Sequence, residues 1–576
     1  MFRKKIPVLF IIFALTGSCW GQKYEGSDTL SFSSPLDFQL FLSDNFGEIR
    51  PNHFHSGIDL RTQGETGKKV FAACEGYVSR IKIAPDGYGR ALYINHPGGY
   101  ETVYGHLTVF ADTIENYIRQ LQYARHTFSI DVQLPEGLIP IKKGELIALS
   151  GNSGGSTGPH LHFEIRKTPE EHPVNPLLFH LPVKDTIAPL IFSLKFYPLN
   201  NKSFIKHQNK EFITFVQKST SGYSLPGKSA LPVWGKIGLG IETLDCMNLS
   251  AGEYEIYSAE LRVDTVLVSR LLLNELAFEK TRYANSCIDY KDYYLNDEKF
   301  IKLYKEPGNI ADVYDTTINR GVVNFCDGKI HKIQITVKDA AQDSSTCTFL
   351  VRSTNKRNIS THLPVEKNGI PFYWNKNNLA KTGDMILNVP AFALYDNISF
   401  VYNSSGDILP GLYSPTYNLH HPWVPLQRNC ILSINPLNLP ERLRDKTCIV
   451  QLEKNKVVKA IAGQWDNNFV TAKINEFGSY AVGVDTVAPI ITPVNISGLA
   501  MEDTIKFRVT DNLSGIKQCN GFIDNNWVLF EYDPKNELVY YVFDPKRLQK
   551  NKPHSLLLQV NDMNNNISQY SADFYW

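Results

Sequence analysis

Apolar residues alternate with polar ones in short runs along this chain, and glycines punctuate the runs, the period-two pattern of half-buried strands. Residues 70–73 and 77–83 flank Gly76 as strand candidates, and 91–96 and 100–104 flank Pro97-Gly98-Gly99, a hairpin signal with a three-residue turn. Further on, Leu161, Phe163 and Ile165 alternate with His160, His162 and Glu164. A strand here turns Leu161 and Phe163 into a core and presents both imidazoles on the opposite face. The segments 67–76 and 143–151 echo each other, each setting glycines around a short apolar run. That repetition suits a small β-barrel or sandwich with two related halves. One helical period interrupts it: Ile114, Tyr117, Ile118, Leu121 and Ala124 predict a surface helix packed on the β unit, with Asp112 or Thr113 as its cap.

Beyond residue 182 the pattern stays β-rich but changes style. Asp185-Thr-Ile-Ala-Pro189 and Asp485-Thr-Val-Ala-Pro489 begin two segments alike, and these finish on Val337-Lys-Asp339 and Val560-Asn-Asp562. We read two copies of an immunoglobulin-like β-sandwich at 185–355 and 485–576, the first enlarged by insertions around 270–325. A further β-rich domain fills 356–484, with Gly463-Gln-Trp-Asp-Asn-Asn468 and Phe477-Gly-Ser-Tyr-Ala-Val482 as its closing hairpin. The fold class is therefore mostly β: a small β-barrel or sandwich at 35–184 followed by several β-sandwiches.

At 576 residues the chain is too long for a single core. A formal net charge of +1 argues against a nucleic-acid partner, which calls for a basic face. Arg3, Lys4 and Lys5 precede an apolar run at 6–17, so residues 1–21 read as an export signal cut after Gly21. The alternative is lipidation of Cys19, since Thr16-Gly-Ser-Cys19 loosely resembles a lipobox. No later segment is apolar enough to span a membrane, which points to a periplasmic, envelope or secreted protein. Export permits disulfides; Cys430 with Cys448, or two pairs among Cys246, Cys287, Cys326 and Cys347, are candidates, and Cys74 reads as a small buried strand residue.

The chemistry concentrates before residue 170. His53-Phe54-His55-Ser56-Gly57-Ile58-Asp59 sets an imidazole four positions from a carboxylate, with Gly57 permitting a tight bend. Both are ligand types that Zn²⁺ accepts in catalytic sites. One histidine from the pair His160/His162, which follows the Gly/Ser loop 151–158, completes three protein ligands and leaves a fourth position for water. Tyr104-Gly105-His106-Leu107 supplies another histidine at a strand end. No glutamate stands in an HExxH arrangement, so the general base must come from elsewhere, and His106 and His160 are the candidates, since imidazole titrates near the working pH.

The ordered set HxGxD, YGHL and GPHLHFE resembles the lysostaphin/LytM-type zinc metallopeptidases, the glycyl-glycine endopeptidase family, across roughly residues 40–180. The resemblance implies His55, Asp59 and His162 as zinc ligands, His106 and His160 as the catalytic pair, and peptidoglycan stem or bridge peptides as substrate. The 25 or so residues inserted after His106 depart from the family pattern. A rival reading is a non-catalytic envelope scaffold that binds wall peptides or activates another murein hydrolase. The β-rich tail would position the protein on the wall or on envelope proteins. Arg50 reads as a surface salt-bridge partner, His53 as a solvent residue, Glu164 as an orienter of a ligand, His420-His421 as surface loop, and Asp339 and Asp562 as turn caps.

Overall fold

The computed structural model describes residues 30–227, 229–355, 369–496 and 503–576; the expected export signal and Cys19 lie outside them. Strands dominate throughout. The first unit packs a nine-stranded sheet against a three-stranded one, an open two-sheet arrangement. The large sheet runs in the order Leu42–Asp44, Ile58–Arg61, His160–Lys167, Tyr100–Leu107, Arg90–His96, Gly76–Ile83, Ile130–Gln133. In the small sheet the two echoing segments are each other's partners, Lys69–Phe71 pairing antiparallel with Leu146–Leu149. Tyr104, fully buried, ties the sheets together by accepting a hydrogen bond at its hydroxyl from Ala73 N at 2.8 Å.

The expected helix forms at Asp112–Arg125, but its N-cap is Ala111, which offers no side-chain cap; Asp112 lies inside the first turn, where its charge favours the helix N-terminus. Its buried face is Ile114, Ile118, Gln122 and Tyr123, while Ala124 is exposed. The shift from the expected face has a tertiary cause. The last unit folds back on this helix: Trp527 stacks on His126 and meets Tyr123 edge-on, and Arg547 lies over the Tyr123 ring. Beside them Arg90, buried, sits between Glu115 at 3.3 Å and Glu531 at 2.9 Å.

The region from 185 builds a thirteen-stranded sheet system around the long strand Leu231–Leu244. One continuous apolar core runs from Phe32 through Val351 and takes in Tyr395. The insertion folds into short helices at Phe278–Tyr283, Ala284–Cys287 and Tyr290–Asn296. They brace the first unit, Phe54 N donating to Thr281 Oγ1 and Asn52 N to Asn285 Oδ1. Residues 370–485 form two five-stranded sheets and a two-stranded one, and 490–576 two four-stranded sheets facing a common core. The expected closing hairpin is not one. Gln464–Asp466 turns through Asn467 and Asn468, both at positive φ, to pair with Phe469–Ile474, while Gly478–Val484 lies in the opposite sheet beside Thr447–Glu453.

The eight described cysteines are all free thiols, which overturns the expected disulfides. Cys430 and Cys448 lie on strands of different sheets, and burial pushes each thiol up to about 12. They serve as small core residues.

Candidate metal centre

Sheet register assembles the site. His162 stands directly opposite Asp59 on one neighbouring strand and opposite Gly105 on the other. Leu161 and Phe163 are fully buried beneath. Gly105 leaves room for the imidazole, because a Cβ there would come within 3.2 Å of His162 Cβ. Gly57 stands at the expected bend and is required there for space: its φ lies outside the left-handed region, and a Cβ would stand 2.5 Å from Phe163 O. His55, in the link between the strands His53–Phe54 and Ile58–Arg61, completes the group.

Three donor atoms converge: His55 Nε2 lies 3.1 Å from Asp59 Oδ1 and 3.1 Å from His162 Nδ1, and His162 Nδ1 lies 2.8 Å from Asp59 Oδ1. Zinc with ligands at about 2.0–2.1 Å in a tetrahedron holds its ligand atoms roughly 3.3 Å apart, close to this spacing. The proton arrangement points the same way. His55 Nδ1–H donates to Asn45 O at 2.8 Å, and a carbonyl can only accept, so Nε2 carries a lone pair. His162 Nε2–H donates to Glu164 Oε1 at 2.8 Å, so Nδ1 is the atom it turns on Asp59 and His55. The His55 lone pair, His162 Nδ1 and a carboxylate oxygen therefore face one another, a group that one positive charge holds together, whether a proton on Nδ1 or a metal ion in its place. These three residues could bind a metal.

The supporting shell is dense. Glu164, fully buried, also accepts from Ser56 Oγ at 2.7 Å, Tyr88 OH at 2.5 Å and Arg166 Nε at 2.6 Å. Burial alone would raise its pKa, but Arg166 and His162 outweigh that and hold the carboxyl well below its usual range. Asp59 behaves alike: burial opposes ionisation, and His55, His160 and His162 together keep it well below the ordinary value. For His162 burial disfavours charge, yet Asp59 and Glu164 lift it to about 9, so the pocket draws positive charge. Arg50 is no mere surface partner: its Nη2 reaches Asp59 Oδ2 at 3.3 Å as well as Asp44 and Glu48.

His106 and His160 stand beside this group with their rings 4.7 Å apart. His106 sits at a φ of 59°, a left-handed conformation that swings it off the strand toward the centre. Its Nδ1–H donates to Ser153 O at 2.8 Å, and burial first, then His162 and His160, lowers its pKa to about 3, so the ring is neutral. His160 Nδ1–H donates to Gly158 O at 2.9 Å; its buried Nε2 has no hydrogen-bond partner and lies 3.5 Å from Asp59 Oδ1. His53 is exposed, and His420 and His421 pack on Phe477 and Trp423, far in sequence from any metal-ligating group among the described residues. Sequence reasoning missed Tyr88, Ser56 and Arg166. Arg166 extends the period-two face of His160, His162 and Glu164 and was within reach of that pattern; Tyr88 lies in a turn with no such signal.

A two-sheet β unit here gathers two imidazoles and a carboxylate that could bind a metal, beside two further histidines. The sequence model of "Peptidase family M23" matches residues 53–124 and 115–176, and that of "Zu5-like domain" matches 370–485. The chain carries a peptidase family M23 domain, the family to which the motif resemblance pointed. It is 37% identical over 182 residues to an "Uncharacterized metalloprotease" of Haemophilus influenzae, covering 30% of this chain and 32% of that protein. It is 33% identical over 131 residues to the "DD-carboxypeptidase/endopeptidase Mpg" of Neisseria meningitidis, 23% of this chain and 24% of the relative, and 28% identical over 134 residues to "Peptidoglycan DD-endopeptidase ShyB" of Vibrio cholerae, at 23% and 25%. The chain thus spans about a third or less of these relatives. Among solved structures, a zinc containing peptidase from Vibrio cholerae aligns at 26% identity over 25% of this chain and 39% of that one, with a TM-score of 0.19. The catalytic domain of lysostaphin from Staphylococcus simulans aligns at 20% over 24% and 91%, also with a TM-score of 0.19.

Proposed function

We propose that the protein is an exported zinc endopeptidase that hydrolyses peptide bonds in peptidoglycan cross-links or bridges. The observation that carries the reading is the convergence of His55 Nε2, Asp59 Oδ1 and His162 Nδ1 as three candidate ligand atoms with the Nε2 of His160 unpartnered beside them. The relatives named as acting on peptidoglycan support the substrate class.

Bound there, zinc would polarise the scissile carbonyl and acidify water. The chain's own residues do the rest. Asn45 O and Glu164 fix the tautomers of the two ligating histidines, and Arg50 fixes the second oxygen of Asp59. His106 and His160, each with its Nδ1–H bound to a backbone carbonyl, share the proton work through Nε2: one accepts the proton of the attacking water, and the same proton, carried by the pair as imidazolium, stabilises the charge growing on the carbonyl oxygen and passes to the leaving amine. The loop 151–158 forms the site's edge. Gly151 and Gly154 serve its packing, since Cβ atoms there would meet Thr108 Oγ1 and Gly89 N within 2.4 Å, whereas Gly158 borders open space and lets an extended glycine- or D-alanine-containing peptide approach. Among the described residues no helix is long and apolar enough to cross a membrane. Export through residues 1–21 places the enzyme at its substrate, and the β-rich tail positions it in the envelope.

The test is mass spectrometry of peptidoglycan fragments after digestion with zinc-loaded protein. New free amines at a defined stem or bridge bond are expected. Full zinc content with no amine released would reject the enzyme and favour the scaffold.

A further inference from the structure

Outside the peptidase unit, the two segments that begin Asp-Thr-x-Ala-Pro each assemble three aspartates at the same end of their sheets. In the first, ligand atoms of Asp185, Asp245 and Asp339 lie within 4.8 Å of one another; in the second, those of Asp485, Asp511 and Asp562 do. The correspondence is residue by residue. Asp185 and Asp485 open their segments, and Oδ1 of each accepts from the backbone N–H two residues on, Ile187 or Val487. Asp245 and Asp511 directly follow the strands Leu231–Leu244 and Thr504–Thr510, which pair with the strand entered from each opening aspartate, Leu190 against Leu244 and Ile490 against Thr510. Asp339 and Asp562 close the hairpin strand, and Oδ1 of each accepts from the backbone N–H four residues on.

Hydrogen bonds reach two of the six carboxylate oxygens in the first triad and five of the six in the second. Asp245 and Asp339 are 1% and 0% exposed, yet Asp245 Oδ1 and Asp339 Oδ2 have no hydrogen-bond partner, and neither does Asp511 Oδ1 in the second triad. Among the described residues no lysine, arginine or histidine forms an ion pair with any of the six. Buried carboxylates are expected to be paired or to hold a metal. Burial, then the neighbouring aspartates, pushes Asp245 up to about 8, and the same causes push Asp339 up to about 6.

We propose that each triad is a calcium site that staples a domain joint. The donors are all carboxylate oxygens, which favours a hard cation over zinc, and dedicated protein cages of this kind suit calcium better than magnesium, which keeps most of its water. Both sites lie at joints. Asp185 begins the segment that leaves the peptidase unit. Asp485 leaves the Zu5-like region, with its carbonyl accepting from Asn566 Nδ2 while Asn564 Nδ2 donates to Lys446 O across the same joint. Binding at the triads ties the opening residue, a central strand and the closing hairpin of each sandwich to one ion, which stiffens the path between the peptidase unit and the tail.

Isothermal titration of the zinc-loaded full chain with calcium tests this. Two binding equivalents per chain are expected in the range of extracellular modules, about 10⁻⁴–10⁻³ M or tighter, with a rise in melting temperature. Asp245→Asn with Asp339→Asn removes one equivalent, and Asp511→Asn with Asp562→Asn removes the other; His55→Ala removes neither, which separates these sites from the peptidase centre. Neutralising a repulsive cluster leaves the chain foldable. Should a variant fail to fold, hydrogen exchange of the wild type reads the same event as calcium-dependent protection at 185–189 and 485–489. No heat, no melting shift and no added protection at about 10 mM calcium, tenfold above that range, would overturn the proposal. So would binding that survives all four substitutions.

Discussion

Replacing Glu164 by glutamine tests whether the buried network orients a metal ligand or merely fills the core. Glu164 is fully buried, accepts from His162, Ser56 and Tyr88 on Oε1, and accepts from Arg166 on Oε2. Glutamine keeps the shape but has one acceptor and one donor end. If its oxygen faces His162, its amide meets the Arg166 N–H donor to donor. If its oxygen faces Arg166, its amide drives His162 to the tautomer with the proton on Nδ1, the atom aimed at Asp59 and His55. Either way the Arg166 guanidinium loses its buried counter-charge, which costs about 3–5 kcal/mol of stability. Loss of an orienting partner costs roughly 10–100-fold in metal affinity. Chemical denaturation measures the first quantity and competition with a zinc chelator the second. The double variant Glu164→Gln with Arg166→Met separates them, since removing the whole pair restores most of the stability but leaves His162 unoriented and zinc weakly held. Unchanged zinc affinity in both variants would refute the tautomer argument; equal recovery of stability and affinity in the double variant would show that Glu164 acts through packing alone.

Three further outcomes follow from named contacts. His55→Ala and Asp59→Ala lose zinc, whereas His106→Ala keeps it and slows peptidoglycan cleavage about 10²–10⁴-fold; equal zinc loss in all three, read by elemental analysis, would mean that ligands and proton-transfer groups have been confused. His96 is buried with Nδ1 at 2.7 Å from Glu75 O, and burial lowers its pKa from 6.5 to about 4. Because the folded value is the depressed one, the unfolded chain takes up the proton first, so this stability is complete above about pH 6.5 and is lost as pH falls toward 4, by about 3 kcal/mol. Urea midpoints of wild type should therefore fall further over that window than those of His96→Gln, and parallel acid limbs would reject the assignment. Glu531→Ala strips Arg90 of its 2.9 Å partner across the contact between the last unit and the peptidase unit, costing about 2–3 kcal/mol. It should lower the melting temperature and raise hydrogen exchange at 152–156, where Lys535 donates to the carbonyls of Asn152 and Ser156; no change in either would show that the contact does not form in solution.

What could be read from the chain was whatever depends on neighbours in sequence. The alternation of Leu161, Phe163 and Ile165 with His160, His162 and Glu164 sets the two faces of one strand, because side chains alternate along any strand wherever it lies. The hairpin through Pro97-Gly98-Gly99 and the helix at Asp112–Arg125 were legible for the same local reason. The five motif residues were legible because their types and spacing limit what chemistry they can perform.

Tertiary structure decided everything that depends on which strands become neighbours. Register placed Asp59 opposite His162 and so brought three donors within hydrogen-bonding distance from positions a hundred residues apart. It turned Arg50 from a surface charge into a support for Asp59, and it kept Cys430 and Cys448 on separate sheets as thiols. It also gathered Asp245 and Asp339, each with an unpartnered oxygen, into one cluster, although their separation along the chain gives no hint of contact. A local pattern fixes the face on which a side chain stands; only the long-range pairing of strands fixes what stands across from it, and the chemistry of a site resides in that opposition.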